Sequence, residues 1–372
     1  MEFRIIKDTE GTAFSGCDFV VELPKERTGR DVRVLQLTDM QIIDSLQRRT
    51  PDRIRADEIA AWLPENYDSL CGNHIRSLVA QSRPDLIIIT GDIVYGSFDD
   101  KGTGMKYMCK LLDSFASPWA PVFGNHDNES KMGVSWQCEQ LEKCRYCLFK
   151  RGEVSGNGNY TVGIAVGDEL IRVIHMLDSN GCKNTEDPSV VRQSGLYPDQ
   201  LQLVLENTEK IRKAQQKEIP AFMAFHIPVD CFGEAQYAKG YRTNDEDNFI
   251  LGVTKEAKDG DFGFSLDRFI PRSIKTDGTF IPFVKAQNVD GIFVGHEHSV
   301  CTSIRYEDIV WTFGLKTGQY DFHIPYQMGG TLITLQGASF RVNHMPSLTP
   351  CGAMPAKALM FRGFLVSGED KM

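Results

Sequence analysis

The sequence predicts an α/β protein in which two sheets pack against each other and helices cover the outside. Two observations lead to this prediction. Before Val300, short runs rich in valine and isoleucine alternate with segments of helical spacing, and each run is closed by a polar or glycine-containing turn. After Val300 the pattern changes to short β-type segments separated by glycines. An α/β region followed by consecutive strands is typical of such layered packing.

The strands of the α/β region are predicted from six apolar runs. Their continuous apolar character fits strands that are covered on both faces. In chain order the runs are Arg33–Thr38, Leu86–Thr90, Ala120–Phe123, Ile171–Leu177, Ala221–Phe225 and Gly291–Val294. The glycine-separated segments further on add four more predicted strands, Thr302–Arg305, Ile309–Phe313, Thr331–Leu335 and Ser339–Asn343.

Helical spacing occurs in two segments, Asn73–Gln81 and Gln200–Lys213. In the second, apolar residues recur at helical intervals after the start signal Pro198-Asp199. The chain contains no internal repeat and no tract rich in proline and serine that would mark a linker. We therefore predict a single domain over residues 1–372, with a core from about residue 31 to residue 345.

The bulk composition restricts the classes of function. The chain has 372 residues and a net charge of −9, which argues against non-specific nucleic-acid binding because that binding requires a basic surface. No segment approaches the roughly 20 consecutive apolar residues of a membrane span. The N-terminus has no secretory signal pattern. The ten cysteines are therefore expected to be reduced thiols in a cytoplasmic protein.

Five polar blocks each follow a predicted strand and carry side chains of the kinds that bind metals. The blocks are Leu37-Thr38-Asp39-Met40-Gln41, Ile89-Thr90-Gly91-Asp92-Ile93-Val94-Tyr95, Phe123-Gly124-Asn125-His126-Asp127, Ala224-Phe225-His226-Ile227-Pro228 and Gly295-His296-Glu297-His298. In sheets with parallel strands, ligands gather at the carboxyl ends of the strands. The blocks therefore predict one crevice that collects Asp39, Gln41, Asp92, Asn125, His226, His296 and His298.

The residue types in these blocks indicate the chemistry. Mixed nitrogen and oxygen ligands without cysteine suit Mn, Fe or Zn. A carboxylate is the usual bridge between two divalent ions about 3.5–4 Å apart, and such a pair clamps a phosphoryl group during in-line displacement. The same ions lower the pKa of a bound water, so that hydroxide is available near neutral pH.

The ordered blocks resemble the pattern of the calcineurin-like metallophosphoesterases, which is Asp-x-His, Gly-Asp, Gly-Asn-His-Asp/Glu, His and Gly-His-x-His. The resemblance extends from about Asp31 to His298. It implies a four-layer α/β/β/α sandwich with a di-metal site. One metal ion would be held by Asp39, Gln41 and His298, the other by Asn125, His226 and His296, with Asp92 as the bridge. His126 would act as general acid or charge stabiliser and would be oriented by Asp127.

Two positions distinguish this chain within the family pattern. Gln41 stands where most members carry histidine, and an amide oxygen binds metal more weakly than imidazole. A similar Asp-x-Gln occurs in the ADP-ribose/CDP-alcohol diphosphatase branch, which favours manganese. Tyr95 matches the block in which purple acid phosphatases use tyrosine as an iron ligand, so Tyr95 either binds metal or packs beside the site. Further segments, Gly156–Tyr160 and Leu177–Ser179 among them, resemble the intracellular purple-acid-phosphatase-like proteins of plants and fungi.

The sequence thus predicts a di-metal phosphoesterase in which metal-bound hydroxide attacks phosphorus, and a phosphomonoesterase is favoured. The expected substrate is a phosphorylated small molecule or a phosphoprotein, and the expected cofactors are two ions of Mn, Fe or Zn. Two alternatives stay open. Gln41 favours a nucleotide-type phosphodiesterase or diphosphatase of the ADP-ribose/CDP-alcohol type. The same fold also serves as a non-catalytic protein-binding scaffold when its metal ligands are lost.

Overall fold

Strands and helices alternate along the computed structural model, which describes residues 3–52, 54, 58–239, 242–244, 249–251 and 274–346. The strands are β1 (Arg4–Ile6), β2 (Phe19–Leu23), β3 (Val32–Leu37), β4 (Leu86–Thr90), β5 (Trp119–Val122), β6 (Tyr160–Val166), β7 (Glu169–Met176), β8 (Ala221–Ala224), β9 (Arg242–Asn244), β10 (Phe249–Leu251), β11 (Val289–Val294), β12 (Ser303–Tyr306), β13 (Ile309–Phe313), β14 (Gly329–Gln336) and β15 (Ser339–Pro346). The helices are α1 (Ser69–Ser82), α2 (Thr103–Ser114), α3 (Val134–Glu142), α4 (Pro198–Gln215), α5 (Cys231–Ala238) and α6 (Phe280–Ala286).

The strands form two large sheets of mixed direction. The larger has eight strands in the order β1-β2-β6-β7-β8-β11-β13-β12, and the smaller has five in the order β15-β14-β3-β4-β5. The strands β7, β8, β11 and β13 are mutually parallel neighbours, and so are β3, β4 and β5. Antiparallel strands lie at the edges, and β9 pairs separately with β10.

The sheets pack face to face between two layers of helices. Alternation along β2 shows this arrangement, because successive side chains of a strand point to opposite faces. Phe19 and Val21 belong to the hydrophobic cluster that joins the two sheets, whereas Val20 packs with residues of α4 in a second cluster. The helix α1 contacts β3 and β14 of the smaller sheet, and α6 contacts β11 of the larger one. The four-layer α/β/β/α sandwich is confirmed.

The predicted strands and helices all occur, with bounds that differ by a few residues at each end. The strands β1, β2, β6, β9 and β10 and the helices α2, α3, α5 and α6 were not predicted. In β6 the apolar run is interrupted by Gly163, and α2 begins beside Gly102 and Gly104, so local composition obscured both patterns. No helix within the described ranges has both the length and the apolar character that crossing a membrane requires.

The carboxyl ends of five parallel strands meet where the two sheets face each other. The strands β3, β4 and β5 end there in the smaller sheet, and β8 and β11 end there in the larger one. Two hydrogen bonds link the sheets at this edge. His226 Nδ1 lies 2.8 Å from the carbonyl oxygen of Thr90, and Gln36 Nε2 donates to the carbonyl oxygen of Val294 at 3.0 Å. The five polar blocks therefore surround one location.

Candidate metal centre

Three buried side chains form the centre of this location. Asp39, Asp92 and His226 each offer one ligand atom, and these atoms all lie within 4.8 Å of one another. Each comes from the residue immediately after a strand end or the second after it, so the backbone of the two sheets determines their separation. Two buried carboxylates this close repel each other unless a cation lies beside them, either a protonated imidazole or a metal ion.

The tautomer of His226 shows which atom faces that position. Its Nδ1 donates to the carbonyl oxygen of Thr90, because a carbonyl can only accept. The other ring nitrogen, Nε2, lies 3.3 Å from Asp92 Oδ1 and 3.3 Å from His296 Nδ1. Burial lowers the pKa of His226, but the carboxylates of Asp92 and Asp39 outweigh it and raise that pKa to about 10. The pocket thus attracts a positive charge, which is either a proton or a metal ion.

Asn125 provides an independent indication of a ligand. The residue is buried, and among the described residues its side-chain oxygen Oδ1 has no hydrogen-bond partner. A buried carbonyl oxygen without a partner costs about 1–3 kcal/mol of stability. A metal ion bound beside Asp92 and His226 would satisfy this oxygen. Asp92, Asn125, His226 and His296 therefore fit a divalent ion with mixed nitrogen and oxygen ligands.

Asp39 and His298 form a second pair. His298 Nδ1 donates to the carbonyl oxygen of Phe322 at 2.6 Å, so its Nε2 is the atom that lies 3.1 Å from Asp39 Oδ1. Asp39 Oδ2 accepts from the Thr38 hydroxyl at 2.7 Å and from the backbone N–H of His296 at 3.0 Å. Burial raises the pKa of Asp39, but the neighbouring His226 and His298 together hold it below its usual range.

Gln41 is close to the centre but its amide oxygen has another partner. The Nε2 of Gln41 donates to Asp92 Oδ2 at 3.1 Å, and its Oε1 accepts from the ammonium group of Lys316. Lys316 is 2% exposed and also donates to the carbonyl oxygen of Asp39 at 3.0 Å. Burial lowers the pKa of Lys316, while Asp39, Asp321 and Asp92 oppose that effect. Lys316 belongs to the segment Lys316-Thr317-Gly318, whose position relative to the site the sequence alone does not give.

His126 lies beside Asp92, and its backbone N–H donates to Asp92 Oδ1 at 2.9 Å. The prediction that Asp127 orients its ring is wrong, because His126 Nδ1 pairs with Glu129 Oε2 at 2.9 Å. Glu129 is itself held by the Ser97 hydroxyl at 2.9 Å. Burial lowers the pKa of His126, but Asp92 and Glu129 outweigh it and raise that pKa to about 9. The His126 side chain is 18% exposed, so it reaches the solvent side of the centre.

Asp127 has a structural role in this arrangement. Its two carboxylate oxygens accept from the backbone N–H groups of Val94 and Gly124, at 2.9 and 2.7 Å. These bonds hold the loops after β4 and β5 together, and those loops carry Asp92 and Asn125. Burial, with the nearby Asp92 charge, raises the pKa of Asp127 to about 7. Asp127 therefore stabilises the two loops by accepting from their backbone N–H groups, and it does not orient the His126 ring.

Tyr95 packs among aromatic rings next to His126. Its ring centre lies 4.9 Å from that of His126, 4.9 Å from that of Phe98 and 6.4 Å from that of Trp62, all with edge-to-face geometry. Such pairs stabilise a fixed ring position by about 0.5–1.5 kcal/mol beyond burial. This packing agrees with the expectation that Tyr95 packs beside the site. Metal binding by its hydroxyl stays a prediction.

The backbone at the centre has an unusual conformation. Asp39, Gln41, Asp92 and His296 have φ angles of 51°, 47°, 53° and 74°. Residues other than glycine rarely adopt this left-handed region, and residues that do so cluster at functional sites. Four such residues around one location mark it as the functional site.

Two glycines allow the blocks to approach each other. A Cβ atom at Gly124 would lie 2.2 Å from Asp92 Oδ1, and one at Gly295 would lie 2.0 Å from the Thr38 hydroxyl and 2.6 Å from Asp39 Oδ2. Any side chain at these positions would displace a carboxylate of the centre. Close packing at the centre therefore requires glycine at positions 124 and 295.

Comparisons with known proteins identify the family of this chain. Residues 32–300 match the family described as calcineurin-like phosphoesterase. The chain is 24% identical over 246 residues to "Probable inactive purple acid phosphatase 28" of Arabidopsis thaliana, an alignment that covers 60% of this chain and 56% of that protein. It is 22% identical over 305 residues to "Probable inactive purple acid phosphatase 14" of the same plant, covering 76% and 70% of the two chains.

The chain thus spans about half the length of the first of these relatives. Among solved structures, a dimetal phosphatase from Danio rerio is similar over 85% of this chain and 99% of its own, with a TM-score of 0.49 and 12% sequence identity. A purple acid phosphatase from yellow lupin is similar over 93% of this chain and 55% of its own, with a TM-score of 0.45 and 10% identity.

Proposed function

This chain belongs to the calcineurin-like phosphoesterase family, and we propose that it is a metal-dependent hydrolase of phosphate esters. One observation carries the proposal. Asp92 Oδ1 and His296 Nδ1 each lie 3.3 Å from His226 Nε2, and the buried oxygen of Asn125 in the neighbouring block has no partner among the described residues. Buried nitrogen and oxygen ligand atoms that converge in this way are an arrangement that a bound cation stabilises.

A metal ion held by these residues would polarise a phosphoryl oxygen and activate a water molecule. The remaining chemistry belongs to the side chains. Glu129 holds Nδ1 of His126, which leaves Nε2 as the nitrogen that exchanges a proton with the substrate. The Glu129 carboxylate raises the pKa of His126, which favours a protonated ring that can give its proton to the leaving oxygen. Asp127 keeps His126 and Asn125 in place through the backbone.

The proposed substrates are phosphomonoesters of small molecules or of proteins, and the proposed metals are Mn, Fe or Zn. Mixed imidazole, carboxylate and amide donors suit these ions. We also propose that the protein acts in the cytoplasm. The nine cysteines within the described residues are all free thiols, as is usual in a reducing compartment.

Two other functions compete with this proposal. The diphosphatase alternative rested on Gln41, and it is weakened because the Gln41 oxygen accepts from Lys316. The scaffold alternative is favoured by the names of the two Arabidopsis relatives, which describe those proteins as probably inactive. Against it, His126 is paired with Glu129 in a geometry that serves proton transfer and has no evident purpose in a scaffold.

Metal analysis combined with two substrates separates these functions. The purified full chain is supplied with Mn, Fe or Zn, its bound metal is measured by mass spectrometry, and its rates on para-nitrophenyl phosphate and bis-para-nitrophenyl phosphate are compared. We expect bound metal and faster hydrolysis of the monoester. Faster hydrolysis of the bis-ester would favour the phosphodiesterase. If the protein binds no stoichiometric metal and has no activity, the remaining alternative is the non-catalytic scaffold.

A further inference from the structure

Lys316 lies at the carboxyl end of β13, directly beside the first ligand block. The loop after β13 runs parallel to the end of β3, where Lys316 bridges to Thr38. The backbone N–H of Gly318 donates to the carbonyl oxygen of Asp39 at 3.1 Å. A Cβ atom at Gly318 would lie 1.7 Å from the carbonyl oxygen of Met40, so the two segments are in direct backbone contact. This contact fixes the origin of the Lys316 side chain relative to Asp39 and Gln41.

The Lys316 ammonium group is buried at the centre and has oxygen partners there. It donates to the carbonyl oxygen of Asp39 and to Gln41 Oε1. A buried ammonium group is unfavourable unless acceptors and negative charges surround it, and the carboxylates of Asp39 and Asp92 provide those charges. Lys316 therefore uses the Gln41 oxygen that the resemblance assigns to the ion bound by Asp39, Gln41 and His298.

The orientation of the Gln41 amide follows from its two partners. As it stands, the oxygen accepts from Lys316 and the NH2 group donates to Asp92 Oδ2 at 3.1 Å. A reversed amide would place NH2 against an ammonium group and oxygen against a carboxylate, which satisfies neither contact. Gln41 thus presents hydrogens to the centre instead of a lone pair. It does not fit the role of metal ligand that the sequence analysis gave it.

The centre therefore has two unequal sides. On the His226 side (Asp92, Asn125, His226 and His296) the described groups present lone pairs. On the Lys316 side (Asp39, Gln41, His298 and Lys316) two of the four present hydrogens. A divalent ion on the Lys316 side would face an ammonium group at short range, and like charges in a buried site repel strongly.

We propose that the Lys316 ammonium group takes the place of one of the two metal ions, so that this chain binds a single metal ion tightly, on the His226 side. The proposal rests on the metal centre proposed above and specifies its composition. The single positive charge of Lys316 partly balances the charges of Asp39, Asp92 and Asp321 whether or not a metal ion is bound.

The test is the metal stoichiometry of the purified full chain. The protein is stripped with chelator, titrated with Mn²⁺ and followed by calorimetry, by mass spectrometry after gel filtration and by electron paramagnetic resonance. We expect one equivalent of retained Mn²⁺ and the six-line spectrum of an isolated ion. Two equivalents of similar affinity with a spin-coupled spectrum would overturn the inference while leaving the proposed function intact. Protein that retains no metal would overturn both.

A double variant tests the cause. Lys316→Met with Gln41→His removes the internal cation, keeps the side-chain volume and supplies an imidazole beside Asp39 and His298. We expect this variant to retain a second equivalent of Mn²⁺, while Lys217→Met, which changes an exposed lysine on the surface, retains one. A folded double variant that still retains a single equivalent would contradict the role of Lys316. If the double variant does not fold, the wild-type stoichiometry and spectrum still decide between the two outcomes.

Discussion

The His226 side and the Lys316 side of the centre occupy equivalent places in the fold but differ in what their side chains present. Both sides lie just past the ends of parallel strands, and both contain an aspartate and a histidine whose Nδ1 is held by a backbone carbonyl. On the His226 side the fourth residue is Asn125, whose oxygen has no partner among the described residues. On the Lys316 side the corresponding amide is already bound to an ammonium group. Strand topology thus places the residues, and the hydrogen bonds of one amide decide whether a metal ion fits.

The largest effect is expected from Asp92→Asn. Asp92 contacts His226, Gln41 and the backbone of His126, and it is the carboxylate shared by both sides. Its loss removes the negative charge that attracts a cation, so metal content and phosphomonoesterase activity should both fall to background. Asp39→Asn is the matched control on the Lys316 side. Asp39 also belongs to the buried cluster with Asp92 and His226, so we expect part of the metal to be lost, but less than in Asp92→Asn. Equal metal loss in both variants would show that the sides do not differ.

His126→Ala should cause the second largest loss of activity. The variant lacks the group that protonates the leaving oxygen, and general acid catalysis contributes about 10²–10⁴-fold. We expect kcat to fall by that order while metal content stays unchanged, because the contact between Asp92 and residue 126 uses the backbone N–H. Steady-state rates with parallel metal analysis provide the measurement. Unchanged activity would remove His126 from the chemistry.

Glu129→Gln should have an intermediate effect. Glu129 raises the pKa of His126, so a neutral residue at this position lowers that pKa and reduces the range over which the ring holds its proton. We expect kcat to fall by about 10–100-fold, as for other residues that orient a functional group, and the alkaline limb of the pH–rate profile to move to lower pH.

Asp127→Asn serves as the comparison for Glu129→Gln. It keeps the shape of the side chain, but its NH2 group cannot accept one of the two bonds from the backbone N–H groups of Val94 and Gly124. Residue 127 does not touch the His126 ring. The alkaline limb of the pH–rate profile should therefore stay at nearly the same pH as in the wild type. A larger displacement of the limb in Asp127→Asn than in Glu129→Gln would restore the role that the sequence analysis gave to Asp127.

Tyr95→Phe should have the smallest effect. The ring contacts with His126, Phe98 and Trp62 are kept, and only the hydroxyl is lost. We expect metal content to stay the same. The absorption spectrum of the iron-loaded protein is the decisive measurement, since a tyrosinate–iron bond gives a visible band. If the wild type shows such a band and Tyr95→Phe lacks it, Tyr95 is a metal ligand. The Lys316 side would then have one more ligand atom.

The position of the centre could be predicted from the sequence because of a simple regularity. Each ligand block directly follows an apolar run, and parallel strands bring such ends to one edge. The same regularity includes Lys316, which follows β13, but the parallel pairing of β13 with β11 is a property of the sheet and is not visible in the sequence. The single domain over residues 1–372 stays a prediction.

The partner of His126 could not be predicted, since two acidic residues follow it within three positions. A turn of 3₁₀-helix over Asp127–Glu129 decides between them. Residues three apart are eclipsed in such a turn, which places the carboxylate of Glu129 beside the His126 ring. The spacing alone equally permitted the adjacent Asp127. A prediction of the 3₁₀ turn over Asp127–Glu129 would have identified Glu129 as the partner of His126.

The left-handed backbone at Asp39, Gln41, Asp92 and His296 has a consequence for how the protein can change. Each such residue costs about 1–3 kcal/mol relative to an unstrained conformation, and glycine would avoid most of that cost. Substitutions that abolish the centre are therefore among those that would raise the melting temperature. A lineage released from selection for chemistry would drift towards glycine at these positions. This chain carries side chains at all four, where thermodynamic stability alone favours their loss.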